Sequence, residues 1–344
     1  MKNQKFNFVL AVLAAIFIFY LLITRLHRPK FVSVESPNRF VMNTVANIIA
    51  VAPDQQTAQK SIDAAFKQVY RLEKLFNRYD PNSQLSQVNK FAANQPVKVD
   101  KDLFDILQLS VHYSKITDDA FDITIGPLVD LWKKCAKTNS MPTDQQLAET
   151  KKIIGCDKLI LDANDFSIRF TTPGISLDLG AIAKGFAADK AIEIMKQCGA
   201  TGGLVNLGGQ IGCFGKTEKN TDWIIGVRNP ANPDNNKIVA KLTLTDMAVS
   251  TSGNYERFYK IGEHRFSHIF NPSTEKSADL LSSVTIICPI GVQADAFSTA
   301  VSVLGAQKGL SLIEKINDTE AILIPADNNS TIIKSTGVEK FITK

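Results

Sequence analysis

Apolar residues recur at helical spacing from Gln56 to Phe76, where Ile62, Ala65, Phe66, Val69, Leu72, Leu75 and Phe76 share one face. Similar spacing predicts helices from Asp102 to Thr117, from Asp144 to Ile154 and from Gln293 to Leu304, the last two closed by Gly155 and Gly305. Shorter helices are expected over Ser83 to Asn89 and Gln307 to Ile316, and Gly126-Pro127 reads as a turn or a helix start. Runs rich in Val and Ile predict a single strand from Phe40 to Ala52. Further strands are expected over Ile168 to Leu177, Gly203 to Leu207, Trp223 to Val227, Lys237 to Leu244 and Met247 to Thr251. Three more, Ser283 to Cys288, Thr319 to Pro325 and Thr331 to Ser335, complete the set. Helices and strands mix without regular βαβ alternation, so the expected class is α+β.

Phe6 to Leu26 is a near-continuous apolar run, long enough to span a bilayer. Bulky Tyr20-Leu-Leu-Ile-Thr-Arg-Leu26 stands where a signal peptide would carry a small-residue cleavage site. The reading is therefore an uncleaved single-pass anchor, with a cleaved signal as the alternative. Residues 1–5 form a short tail, 27–40 a tether and 41–344 the body. The short tail favours a cytoplasmic N-terminus with the body outside.

The 344 residues suffice for one large domain or two small ones. Net charge is +5, but five basic residues (Lys2, Lys5, Arg25, Arg28, Lys30) and only one acid, Glu35, lie in the first 35 residues. Beyond them 34 basic residues face 33 acidic ones, so charge gives no argument for nucleic-acid binding. The five cysteines show no CxxC or metal-ligand spacing, which leaves buried or free thiols, or one disulfide in an oxidising compartment.

Ser176-Leu-Asp-Leu-Gly-Ala-Ile-Ala-Lys-Gly-Phe-Ala-Ala-Asp189 brings an acid, two glycines and small residues to a helix start. Such a turn lets the backbone approach a phosphate. From Gln293 onward, Phe297, Val301 and Leu304 share the inward face of a helix, and Asp295, Thr299 and Ser302 another. Asp295 and Thr299 at i, i+4 can offer oxygens to a hard cation, or Asp295 can cap the helix while Thr299 bonds back to a carbonyl. His268, beside Asn271-Pro272, is a candidate general base or an ordinary loop histidine. The polar segment 250–257 can wrap a ligand or turn a hairpin corner.

Six segments follow one another across nearly the whole chain beyond the apolar run: 78–89, 120–132, 178–189, 205–209, 250–258 and 294–300. Together they resemble the ApbE family, the FAD:protein FMN transferases. The resemblance implies a single α+β catalytic domain with mainly antiparallel strands behind the transmembrane anchor. It also implies Mg²⁺-dependent transfer of FMN from FAD to a threonine or serine hydroxyl of an acceptor protein, with AMP released. The acceptor would be a subunit of a membrane redox complex or a flavin-bearing reductase, and the enzyme would face the periplasmic or extracytoplasmic side of the inner membrane. Matching positions would place Met42, Tyr79, Ala120, Phe121, Asp122, Asp178, Lys184 and Ile269 against FAD. Ala181 (through its carbonyl), Asp295 and Thr299 would hold Mg²⁺, and His268 would accept the proton.

The chain departs from the usual family pattern at Asn43, Gln210, Asn254 and Asn271. The last removes a charge that would raise the pKa of His268. Alternatives are an FAD pyrophosphatase on the same fold and a non-catalytic FAD-binding protein. A tethered solute-binding protein fits the anchor and the size, but does not predict the Asp178 segment.

Overall fold

The computed structural model describes residues 31–230, 237–253, 258–327 and 331–343. The apolar run 6–26 and Asn254 lie outside them. Among the described residues no helix is long and apolar enough to cross a membrane.

The chain opens with β1 (Val32–Glu35), β2 (Arg39–Val41) and β3 (Thr44–Ala52), followed by α1 (Gln55–Phe76) and α2 (Gln84–Phe91). Next come β4 (Val97–Lys98), α3 (Lys101–Ile116), α4 (Gly126–Lys137), α5 (Asp144–Lys151), β5 (Leu159–Asp162) and β6 (Ser167–Phe170). Then follow α6 (Ala183–Gln197), β7 (Gly202–Leu207), β8 (Gln210–Phe214), β9 (Trp223–Arg228), β10 (Ile238–Leu244) and β11 (Met247–Gly253). The chain closes with β12 (Phe258–Ile261), β13 (His264–Ser267), β14 (Leu281–Cys288), α7 (Gly291–Ile313), β15 (Glu320–Pro325) and β16 (Ile333–Lys334).

Nine strands build one sheet in the order β1-β3-β7-β8-β11-β14-β15-β16, with β2 beside β3. Each pairing in it is antiparallel. The sheet is covered on both sides, which explains its apolar central strands. Ala50, Ala248, Ile286 and Leu323 face the main core beneath α1, α6 and α7. Val51, Val249, Ile287 and Ile322 point the other way, onto Trp223, Ile225 and Leu242 of the β9–β10 hairpin. The expected α+β class, with mainly antiparallel strands, is what is observed.

Local chemistry sets the helix ends. α1 buries the predicted face and starts at Asp54, whose Oδ1 accepts from Thr57 N at 2.8 Å. α5 buries no residue, starts at a capping box between Thr143 and Gln146, and ends at Lys151 rather than Ile154. At Gly305 (φ 74°) the backbone leaves helical geometry within α7, dividing it where two helices are expected.

Several expectations need correction. The single strand from Phe40 to Ala52 is a hairpin, turned at Met42 (φ 51°) and Asn43 (φ 58°). The tether carries β1, which pairs with the far half of β3. The strand expected to Leu177 stops at Phe170, and the following chain is held by Asn89, which bonds both the carbonyl and the N–H of Leu177. The segment 250–257 begins as strand, because β11 runs to Gly253. The sequence reading also missed β8, the β12–β13 hairpin and the short strands β4 and β5 that flank β6.

The tightest helix contact lies between α6 and α7. A Cβ on Gly185 would stand 2.3 Å from the Gly291 carbonyl oxygen. Gly185→Ala is expected to cost about 1–3 kcal/mol, read as a lower urea midpoint at unchanged slope.

Candidate active site

At this crossing each helix supplies a carboxylate to the other's N-terminus. Asp295 of α7 accepts from Gly185 N through Oδ2 at 2.9 Å. Asp189 of α6 accepts from Gly291 N and Val292 N, both at 2.8 Å. Asp295 is therefore no cap of its own helix, which starts after Ile290 without a side-chain cap. Nor is Thr299 seen bonding back: the back-bonding hydroxyls among the described residues of this helix face are Ser298 and Ser302.

Gly185 N is a first-turn donor of α6, which starts at Ala183, so it has no acceptor in its own helix and Asp295 supplies one. The Ala181 carbonyl lies just ahead of that helix, outside its hydrogen-bond ladder. Asp295 is 3% exposed, and its second oxygen is held only loosely, by Lys184 Nζ and Ser250 Oγ at 3.5 Å each. One loosely held carboxylate oxygen, the Ala181 carbonyl ahead of α6 and half-buried Thr299 suit Mg²⁺, which takes one or two carboxylates with other oxygens and water. No three His, Cys, Asp or Glu side chains among the described residues form a metal cage, so this mixed donor set is the one to consider.

The turn before α6 is braced by Asp178. Its Oδ1 accepts from Gly180 N at 2.8 Å, and its N–H donates to the Ile123 carbonyl at 2.7 Å. Arg78 reaches Asp178 at 2.9 Å, Ser176 Oγ at 3.2 Å and Asp130 at 2.5 Å. Lys184 Nζ joins the Gly180 carbonyl at 3.3 Å to Asp295. The segments holding Tyr79, Asp122, Asp178, Lys184 and Asp295 thus form one connected network.

The predicted FAD-contact residues divide by exposure. Tyr79 is 63% exposed, with Lys133 Nζ 4.6 Å from its ring centre, which rules out a core role. Ala120, Phe121, Asp122 and Ile269 are buried. Asp122 Oδ1 accepts from the N–H and hydroxyl of Thr124 and from Cys156 Sγ, and burial pushes its pKa up despite them. Met42 stands at the hairpin turn, where its N–H donates to Glu73 at 2.6 Å. His268 follows β13 on a segment packed by Trp132, Phe266 and Phe270. All five cysteines are free, so no disulfide forms.

The sequence reading gave no role to Arg78 or Asp189. Arg78 stood beside Tyr79 in a noted motif. Asp189 closed another, four residues after Gly185, which is one helical turn. Its residue is half-buried, with both carboxylate oxygens engaged by the α7 terminus. Burial pushes this carboxyl up to about 6, against two N–H donors that favour its charge.

A sequence model of the ApbE family matches residues 42–323. The chain belongs to the ApbE family. It is 30% identical over 301 residues to a Haemophilus influenzae protein named FAD:protein FMN transferase, covering 86% of each chain. A Klebsiella pneumoniae protein of the same name is 32% identical over 271 residues, covering 78% of this chain and 83% of that one. The crystal structure of the Thermotoga maritima ApbE protein superposes with a TM-score of 0.82 at 26% identity, over 91% of this chain and all of that one. The expected ApbE resemblance is thereby established.

Two outcomes follow for this ApbE chain. Arg78→Met strands Asp178 and should cost about 3 kcal/mol, measured by urea unfolding. The Asp189 value lies above the unfolded value of about 3.9, so its contribution is full below that and is lost as pH rises through about 6. The stability of Asp189→Asn relative to the parent should therefore improve between pH 4.5 and 7.5. A difference that stays constant with pH would contradict the raised value.

Proposed function

We propose that the chain is an FAD:protein FMN transferase. The observation that carries this reading is the bond of Asp295 to the first turn of α6, just after Ala181, with its other oxygen only loosely held, within a chain of this family. The names of its relatives at 30–32% identity support the same activity.

The acceptor hydroxyl of a threonine or serine attacks the FMN-side phosphorus of FAD. The phosphoanhydride breaks, AMP leaves, and FMN remains joined through a phosphoester. His268 takes the hydroxyl proton, since an imidazole is the side chain suited to general base work near neutral pH. Ala181 (carbonyl), Asp295 and Thr299 would hold Mg²⁺, which supplies positive charge against the pyrophosphate when bound. Tyr79 offers an exposed ring face to the isoalloxazine. Met42, Ala120, Phe121, Asp122, Asp178, Lys184 and Ile269 complete the FAD site. The buried members shape it through backbone and packing, while Lys184, held between Gly180 and Asp295, lies in reach of a phosphate-binding turn.

The apolar run 6–26 supports a single-pass anchor in the inner membrane, with the body on the extracytoplasmic side. The acceptor in this reading is a flavoprotein subunit of a membrane redox complex, or a flavin-bearing reductase.

The test is mass spectrometry of a threonine-containing acceptor after incubation with the full chain, FAD and Mg²⁺. The expected result is a gain of one FMN residue with release of AMP. Asp295→Ala should reduce the rate at least about 10-fold, and His268→Ala about 100-fold or more. Free FMN and AMP without acceptor modification would indicate a pyrophosphatase; tight FAD binding without AMP release would indicate a binding protein.

A further inference from the structure

We infer that Asp189 is a positioning residue for the candidate active site, setting the place of Asp295 by holding the first turn of α7. The inference rests on the reading of Asp295 as a metal-bearing carboxylate.

α7 needs an external cap. Ile290 precedes it with no side chain that can accept, and its first turn contains no acid. Gly291 and Val292 are buried, so their N–H groups are cut off from bulk water. Asp189 satisfies both, at 2.8 Å each. A buried N–H left without an acceptor is costly, and a charged acceptor at a helix N-terminus is favoured by the helix dipole. On the other side of the same residue, Gln210 Nε2 donates to the Gly291 carbonyl at 3.2 Å, and Gln210 is 1% exposed. Gly291 is thus gripped through both of its backbone polar groups.

The spacing turns this grip into a coordinate for Asp295. Along α6, Asp189 stands one helical turn after Gly185. Along α7, Asp295 stands one turn after Gly291. Asp189 bonds Gly291 N, and Asp295 bonds Gly185 N. Two helical turns and two carboxylate contacts therefore close a ring. Without Asp189, Asp295 keeps its bond to Gly185 and Gln210 its bond to the Gly291 carbonyl, but the first two N–H groups of α7 lose their acceptor and the half of the ring opposite Asp295 opens. The first turn of α7 can then shift, and the loosely held oxygen of Asp295 moves with it relative to the Ala181 carbonyl. Asp189 touches neither substrate nor metal in this account and acts only through α7.

The test uses full-length protein purified in detergent, with Mn²⁺ as a spectroscopic probe for the divalent-cation site. Binding is measured by electron paramagnetic resonance, and FAD affinity is measured separately in chelator. Asp189→Asn keeps the side-chain volume but can accept through only one oxygen. It should raise the Mn²⁺ dissociation constant about 10- to 100-fold, the effect expected for loss of a supporting contact behind a metal ligand. FAD affinity without metal should change less than about twofold. Gly291→Ala perturbs the same contact from the other side, since its Cβ would stand 2.5 Å from Asp189 Oδ1. It should weaken Mn²⁺ in the same direction, and the double variant should be less impaired than independent effects would give.

Unchanged Mn²⁺ affinity in both single variants overturns the inference. So does a parallel loss of FAD and Mn²⁺ binding, which would mark a general loss of structure. If Asp189→Asn does not fold, Gly291→Ala decides alone. Asp295→Ala separates the two levels of the argument. If that variant binds Mn²⁺ like the parent, the metal reading fails and the inference with it. If it loses Mn²⁺ while Asp189→Asn and Gly291→Ala retain it, only the positioning role fails.

Discussion

The close approach of α6 and α7 governs the rest of the body. Two glycines, Gly185 and Gly291, bring the helix backbones together, and two carboxylates then bridge them in opposite senses. α6 rests on β7 and β8, while α7 rests on β11 and β14. Joining the helices therefore fixes four central strands relative to the turn at Asp178. Any side chain at either glycine would separate the backbones before the carboxylates could reach across. Small residues in the 178–189 segment thus serve a packing need as well as a chemical one, and the two needs coincide at Gly185.

Periodicity carried most of the secondary structure. The apolar face of α1 and the two-sided strands β14 and β15 were legible because each signal is local and repeated along many positions. β1 was not legible. Its residues Val32-Ser-Val-Glu35 do alternate, but four positions are too short a signal, and they pair along the edge that β3 offers. The turn at Met42-Asn43 was hidden within an apolar run, since Met gives no sign of tolerating positive φ and only Asn43 hints at it. α5 was overextended because Ile153 and Ile154 continue the apolar spacing, although the helix ends at Lys151 and itself buries no residue.

The candidate site was legible to the extent that its residues lie in compact segments. Asp178, Lys184, Asp295 and Thr299 were chosen from spacing and from the family resemblance. The alternative in which Asp295 caps its own helix could not be dismissed from sequence, because an acid near a helix start supports both readings. Its actual partner, Gly185, is 110 positions away. Arg78 meets Asp178 across 100 positions and Asp189 meets Gly291 across 102, so neither contact leaves a local pattern. Exposure also could not be read from spacing: Tyr79 and Phe121 are both aromatic residues in motif segments, yet one is 63% exposed and the other 1%.

β3 acts as a ruler. β1 pairs Val32 with Ala52 at one end of it, while the Met42 turn closes the other end. Eight residue steps along a strand correspond to about 26 Å. The chain before Phe31 therefore joins the body about that far from the Met42 turn. The sheet itself, and not the length of whatever precedes Phe31, sets that separation.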